Sequence, residues 1–455
     1  MQLSDLLEPL QARLVGNDTQ FQSLSTDSRQ LRSGELFIAL RGENFDGHEY
    51  ASVAADRGAC AMVVEREIDS VNVPQLVVGD TVKALGVIAA IHRKRFAGKI
   101  VAVTGSSGKT SVKGLLRDIF AAVGTVVATQ GNFNNHIGVP LSLMNLADQN
   151  YAVIEIGTNH PGEIANLVEL VQPDVALVNN VSAAHIAGFG SLAAIAQEKG
   201  SIYATLNELG TAVINLDDTF ATQFIRATAH VKQIGFSLKG ATADFPVVRT
   251  DNIIFDSAGR ASFHLLYQGQ SVTAQLLLPG LHNLANALAA AACAIAADVS
   301  LANIASGLKN FAGEKGRMQI YAGPRNSVVI DDTYNANPGS VRAAIDYLSE
   351  RSGKRILVLG DLAELGEVAQ QEHRNIGAYA AQKNIAALLS CGPLSALASS
   401  AFGAGGANFP NKATLVEALL SQLDAQSIVL IKGSRSARME EVAQRVLDAK
   451  EISAC

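Results

Sequence analysis

Cysteine is scarce: the four present, Cys60, Cys293, Cys391 and Cys455, lie far apart in a 455-residue chain with no C-x-x-C pair. That spacing suggests neither a disulfide framework nor a zinc site and points to a reducing compartment. Basic blocks are missing as well. The formal net charge is −6 and no Lys/Arg-rich run occurs, so nucleic acid is not an expected partner. No apolar run reaches the ~20 residues a bilayer requires; the longest nearly apolar stretch, 287–297, is alanine-rich. Residues 1–14 carry acids early and lack the basic start and apolar centre of a signal peptide. We expect a cytoplasmic monomer without membrane insertion.

What is present is ordinary globular material, 48% hydrophobic and 17% charged, enough for several buried cores. The length exceeds what one core supports, and the pattern divides it into three α/β units. Residues 1–97 mix β-rich runs at 35–40 and 60–64 with helical stretches at 3–13 and 80–95, a small α/β domain. Residues 98–312 open with a strand at 100–103, a glycine-rich turn, and a helix. In that helix Val112, Leu115, Leu116, Ile119, Phe120 and Val123 form one apolar stripe. Strands at 125–128, 151–156, 175–178 and 212–216 predict a mostly parallel central sheet, and 231–279 reads as an antiparallel extension. Residues 313–455, with strands at 328–330, 356–359, 386–389 and 428–431 between helices, predict a Rossmann-like parallel sheet.

The loop Thr104-Gly-Ser-Ser-Gly-Lys-Thr110 has the mechanics of a phosphate cradle. Gly105 and Gly108 let the backbone approach an anion, successive N–H groups from Ser106 and Ser107 to Ser111 face it, and a helix presents its N-terminus. Lys109 reaches the outer phosphates of ATP and Thr110 the magnesium. The spacing departs from G-x-x-x-x-G-K-[ST], with Val at 103 and Gly105 only three residues before Gly108. The bland reading is a tight strand-to-helix turn.

Glu155 interrupts an apolar strand near its C-terminal end, where open α/β sheets put ligand groups, and is a candidate magnesium ligand. His185 follows the next strand and either lies beside that metal or caps a loop. Lys199 falls inside the apolar stripe Leu192, Ile195, Ile202 and Leu206 of a helix over 191–206. An ammonium buried there must be paired, lowered in pKa, or modified, for instance as a carbamate able to bind magnesium; otherwise it snorkels to solvent. Asn283 and Asn286 share the first turn of a helix and either cap it or contact a nucleotide. Gly316-Arg317 and the run 331–338, with Asp332, Asn335 and Asn337, offer nucleotide and substrate contacts or only an Asx-turn before Pro338. The loops Gly360-Asp361-Leu-Ala-Glu-Leu-Gly366 and Lys432-Gly-Ser434-Arg435 follow two strands, one acidic and one basic, a pair that suits a zwitterion.

In this order these motifs resemble the Mur ligase family of peptidoglycan synthesis over essentially the full chain. The match rests on T-G-S-S-G-K-T at 104–110, E-I-G-T-N-H at 155–160, Asn179-Asn with His185, A-Q-E-K at 196–199, G-L-H-N-L-A-N at 280–286, Gly316-Arg317 and D-D-T-Y-N-A-N-P at 331–338. The runs at 334–338, 360–366 and 432–435 are most similar to the member that adds a D-alanyl dipeptide. The Asp-Asn-Pro-Arg signature of the meso-diaminopimelate-adding member is absent, as is the N-terminal Gly-rich loop of the L-alanine-adding one.

The resemblance implies an ATP- and magnesium-dependent amide ligase that takes UDP-N-acetylmuramoyl-tripeptide and D-alanyl-D-alanine through an acyl phosphate. Ser28, Arg29, Gly47 and His48 would contact the UDP-sugar peptide. Glu155 and His185 would take the metal positions, and Lys199 the family's carbamylated-lysine position. Asn283 and Asn286 would face adenine, with Arg317 and Asp332 at phosphate and ribose. Rival expectations are a sibling Mur ligase, a folylpolyglutamate synthetase-like ligase, or a P-loop nucleotide switch.

Overall fold

A computed structural model describes residues 1–42, 45–183 and 186–452. The first sheet joins Arg13–Val15 (β1), Leu24–Ser25 (β2), Leu36–Ile38 (β3), Ala61–Val64 (β4) and Gln75–Val77 (β5). Its order is β1-β5-β4-β3-β2, parallel except for β1. The helix expected over 3–13 is not continuous: Ser4–Leu6 is a 3-10 turn and Leu7–Leu10 a single α-turn, ended by Gln11 at φ 49°. Pro9 explains the difference, because it lacks an N–H and its ring crowds the preceding turn. The helix Thr81–Arg93 (α1) forms as expected, capped by Asp80, whose carboxylate accepts from the N–H groups of Val82 and Lys83 at 2.9 Å each.

The central sheet comprises Lys99–Thr104 (β6), Val126–Ala128 (β7), Tyr151–Glu155 (β8), Val175–Val178 (β9), Thr211–Asn215 (β10), Lys232–Phe236 (β11), Val247–Phe255 (β12), Arg260–Tyr267 (β13) and Gln270–Pro279 (β14). Its order is β14-β13-β12-β11-β10-β9-β6-β8-β7. The antiparallel extension expected over 231–279 is only half so. β11 and β12 still run parallel to the sheet, because the helix Ala221–Ala227 and then the loop 237–246 carry the chain back to the same end; only β13 runs against it, pairing antiparallel with both β12 and β14.

β6 lies between β8 and β9, so the strand order reverses at its C-terminal end, where a doubly wound sheet leaves a crevice. The helix Lys109–Ala121 (α2) starts there. It buries Val112, Leu115, Leu116, Ile119 and Phe120 against the sheet, each contributing about 1.5–3 kcal/mol. Leu192–Gly200 (α3) packs over the opposite face, and Leu281–Ala296 (α4) lies against α2.

The third sheet orders Gln319–Ala322 (β15), Val328–Asp332 (β16), Lys354–Gly360 (β17), Ala387–Cys391 (β18), Gly406–Phe409 (β19) and Ser427–Lys432 (β20) as β15-β16-β20-β17-β18-β19. β16, β20 and β17 are parallel neighbours, so Asp332, Lys432 and Gly360 end on one edge. The helix Pro338–Ser349 (α5) bridges this unit to the central one at both ends. Asn337 caps it by accepting from Ser340 N–H at 2.8 Å and donates through Nδ2 to Ser107 Oγ at 3.1 Å. At the far end, Tyr347 OH donates to Ala258 O at 2.8 Å and Arg351 to Ser257 O at 3.3 Å, both on the β12–β13 turn. No helix among the described residues is long and apolar enough to cross a membrane.

Candidate active site

The edges of the central and third sheets enclose a cleft of about 650 Å³. Its central wall is the loop after β6. Gly108 adopts φ 78°, and a Cβ there would lie 2.3 Å from Asn286 Oδ1 and 2.5 Å from Asn179 Nδ2, so glycine is required by conformation and by space. The loop is preorganised: Ser106 N–H donates to Asn180 O at 2.9 Å, Ser107 N–H to Asn180 Oδ1 at 2.9 Å, and Asn179 Nδ2 to Ser107 O at 2.9 Å. Lys109 Nζ folds back to donate to Gly105 O at 2.7 Å. Burial lowers the Lys109 pKa, opposed by the charge of Glu155 and reinforced by Arg317.

Thr110 and Glu155 meet as the phosphate loop implies. Thr110 Oγ1 donates to Glu155 Oε2 at 3.0 Å and accepts from Arg317 Nη2 at 2.8 Å. Glu155 is 2% exposed and carries two partners that sequence reasoning missed: Lys113 Nζ at 3.4 Å and Asn134 Nδ2 at 2.8 Å. Lys113 is one helical turn beyond Lys109 and so on its face of α2, which was the available signal. No group of three His, Cys, Asp or Glu side chains able to hold a metal occurs among the described residues. The hydroxyl–carboxylate pair of Thr110 and Glu155 is the sparse oxygen set that suits magnesium shared with phosphate and water. His185 lies outside the described residues.

Lys199, on α3, is 2% exposed, and no hydrogen bond or ion pair of its ammonium occurs among the described residues. Burial pushes its pKa well down, and the nearby charge of Lys109 pushes the same way. The anomaly read from the apolar stripe is therefore physical, and the snorkelling alternative does not hold. The neighbouring Glu198 instead accepts from the N–H groups of Gly162 at 2.7 Å and Ile164 at 2.8 Å.

Asn283 and Asn286 line the cleft while also bonding within it. Asn283 Nδ2 donates to Pro279 O at 2.8 Å, and Asn286 Oδ1 accepts from Asn179 Nδ2 at 2.9 Å. On the third sheet's side, Lys432 Nζ donates to Asp332 Oδ2 at 2.6 Å and to Asn335 O at 3.0 Å. Asp332, expected at ribose, and Lys432, expected in the basic loop for a zwitterionic substrate, thus form one buried ion pair. Tyr334, inside the 331–338 run, places its ring 4.1 Å from the guanidinium of Arg317 and 5.8 Å from that of Arg435.

The residues expected at the UDP-sugar peptide lie away from this cleft, and two expected at the amine substrate are bonded within their own loops. The His48 ring is buried, with Nδ1 2.5 Å from Asp46 Oδ1 and Nε2 accepting from Glu65 N–H at 2.8 Å, because an imidazole inside a small core needs both nitrogens satisfied. Gly47 and Ser28 are buried too, and exposed Arg29 pairs with Asp27 at 2.8 Å; none of these lines the cleft. The Asp361 carboxylate accepts from Ser395 N–H at 2.7 Å, and Ser434 Oγ donates to Asp361 O at 2.7 Å. Those two residues brace the loops instead of facing the cleft.

Three family models match the chain: "Mur ligase family, catalytic domain" over residues 20–93, "Mur ligase middle domain" over 103–294, and "Mur ligase, glutamate ligase domain" over 316–435. The chain belongs to the Mur ligase family. Within that family it is 43% identical over 445 residues to the UDP-N-acetylmuramoyl-tripeptide--D-alanyl-D-alanine ligase of Escherichia coli (strain K12), covering 97% of each chain. A crystal structure of MurF from Acinetobacter baumannii superposes with a TM-score of 0.90 at 34% identity, covering 98% of both chains. MurF ligase from Thermotoga maritima in complex with ADP gives 0.82 at 26% identity, covering 95% of this chain and 98% of that one.

Proposed function

We propose that this chain is the ATP-dependent ligase that joins D-alanyl-D-alanine to UDP-N-acetylmuramoyl-tripeptide, a cytoplasmic step of peptidoglycan synthesis. Residues 1–97 hold the UDP-sugar peptide, 98–312 bind ATP, and 313–455 receive the amine. The observation that carries this reading is the shared cleft, in which the phosphate loop with Lys109 faces Asp332, Lys432 and Arg435 of the third sheet.

A carboxylate is a poor acyl donor, because its charge repels nucleophiles and its oxygen leaves badly. Lys109 supports transfer of the γ-phosphoryl to the tripeptide's terminal carboxylate by offsetting charge as the bond shifts. Arg317, held over Tyr334 and bonded to Thr110, brings a second cation to the same oxygens. Thr110 and Glu155 would hold magnesium, with His185 and a carbamylated Lys199 at the remaining positions; the ion supplies charge neutralisation at the phosphates. Asn283 and Asn286 orient the base. The dipeptide amine then attacks the acyl phosphate, and phosphate leaves.

The test is phosphate release with UDP-tripeptide and D-alanyl-D-alanine omitted in turn. Release that needs both, and that disappears in Lys109→Ala while UDP-peptide still binds, supports the ligase. Turnover that needs neither substrate supports a nucleotide switch and overturns it.

A further inference from the structure

Lys113 carries a charge that the cleft does not display. It is 3% exposed, one helical turn beyond Lys109 on α2, and it is not among the residues that line the cleft. Its ammonium donates to Gly131 O at 3.0 Å and lies 3.4 Å from Glu155 Oε2. The loop that supplies Gly131 is itself stapled to β8 and the residues after it. Thr129 N–H donates to Val153 O at 3.0 Å, Glu155 N–H to Thr129 Oγ1 at 3.0 Å, and Gly157 N–H to Asn134 O at 2.8 Å. The cation is therefore fixed behind Glu155. At 3.4 Å the pair is longer than the ~2.7–2.9 Å of a charge-assisted hydrogen bond, so it neutralises the carboxylate without filling its lone pairs.

On the cleft side, the charge of Glu155 acts on Lys109, and Arg317 is bonded to the same Thr110 hydroxyl that donates to Glu155. Of the cleft's other acids, Asp332 is paired with Lys432, Glu163 accepts from the N–H groups of Asn159 and His160, and the charge of Glu364 acts on Lys109. A divalent cation approaching Thr110 and Glu155 by itself thus meets a carboxylate already neutralised, with two further cations beside it, where burial weakens screening. A nucleotide's phosphates engage Lys109 and Arg317 from the cleft and bring negative oxygens of their own, while Lys113 stays behind the wall.

We propose that Lys113 is the counter-ion that keeps Glu155 from taking a divalent cation until nucleotide phosphates occupy the loop, so that metal enters only together with nucleotide. The assignment rests on the reading above that Thr110 and Glu155 hold magnesium. Lys113 acts through Glu155 and is a positioning residue. A lysine that only packed would, when replaced, cost stability without tightening the site's hold on a metal.

The probe is Mn²⁺ in place of magnesium, added to the full chain and followed by solvent proton relaxation, which rises when the ion tumbles with the protein. The parent should bind Mn²⁺ with a non-hydrolysable ATP analogue and about tenfold or more weakly without it. Lys113→Met should bind nucleotide-free Mn²⁺ about tenfold or more tightly than the parent, and the ion should raise its melting midpoint by replacing the lost ammonium. Adding Glu155→Gln should abolish both gains, which locates them at this carboxylate. Lys113→Gln, which keeps a donor and drops the charge, carries the same expectation should methionine not fold. Nucleotide-free binding no tighter in these variants than in the parent would overturn the proposal. So would a parent that binds equally with and without the analogue, or variants that stay unfolded in saturating Mn²⁺. A parent that binds no Mn²⁺ even with the analogue overturns the magnesium assignment itself.

Discussion

Replacing Lys432 by methionine isolates the energetics of the ion pair behind the cleft. Lys432 and Asp332 side chains are 3% and 13% exposed with Nζ and Oδ2 2.6 Å apart, and the ammonium also ties Asn335 O. Methionine keeps the length and apolar stem, so little packing is lost; what remains is a carboxylate facing a low-dielectric wall, with Met318 N–H at 3.2 Å as its donor among the described residues. Breaking one side of such a pair costs about 3–5 kcal/mol, which at roughly 2–4 °C per kcal/mol lowers the melting midpoint by about 6–20 °C. Calorimetry of Lys432→Met, Asp332→Asn and the double variant forms a closed cycle. The double variant should regain most of the loss, because no bare charge is left inside. A drop below about 1 kcal/mol, or a double variant no better than Lys432→Met, would refute the reasoning.

Two further outcomes follow from the same geometry. If Lys199 works as a carbamate, the parent should lose activity in carbon-dioxide-depleted buffer and regain it with bicarbonate, whereas Lys199→Ala should be impaired and insensitive to both; an unimpaired Lys199→Ala sinks the idea. If the β12–β13 turn clamps the far end of α5, Tyr347→Phe combined with Arg351→Ala should raise KM for the dipeptide and enlarge the radius of gyration with a non-hydrolysable ATP analogue bound. Unchanged small-angle scattering and kinetics would remove the clamp from the mechanism.

Local chemistry made much of this molecule legible in advance. The phosphate loop, the apolar stripe of α2 and the lysine stranded on α3 are short-range patterns; the first two sit where the sequence puts them, whereas the helix expected over 191–206 ends at Gly200, followed by a 3-10 turn at Ser201–Tyr203, and its Leu192 is exposed although Lys199 is buried. Pairings between distant segments were not legible. Nothing within reach of Lys113 in the chain announces Glu155, and Asp332 and Lys432 lie 100 residues apart, so each looked available for a ligand until the fold brought them together. His48 and Asp361 illustrate the same limit from the other side: a polar residue in a polar loop reads as a contact, although its bonds are spent inside. The 3–13 segment carried its own contradiction in Pro9, which the amphipathic pattern outweighed on paper and steric exclusion overrode in the structure.

Asn337 begins α5 and at the same time grips the phosphate loop, so the positive pole of a second helix leans on the site already served by α2. Under the proposed reading, in which the third unit receives the amine, a transferring phosphoryl group would therefore meet helix poles mounted on two different units, and would meet both only while those units are held together as they are here.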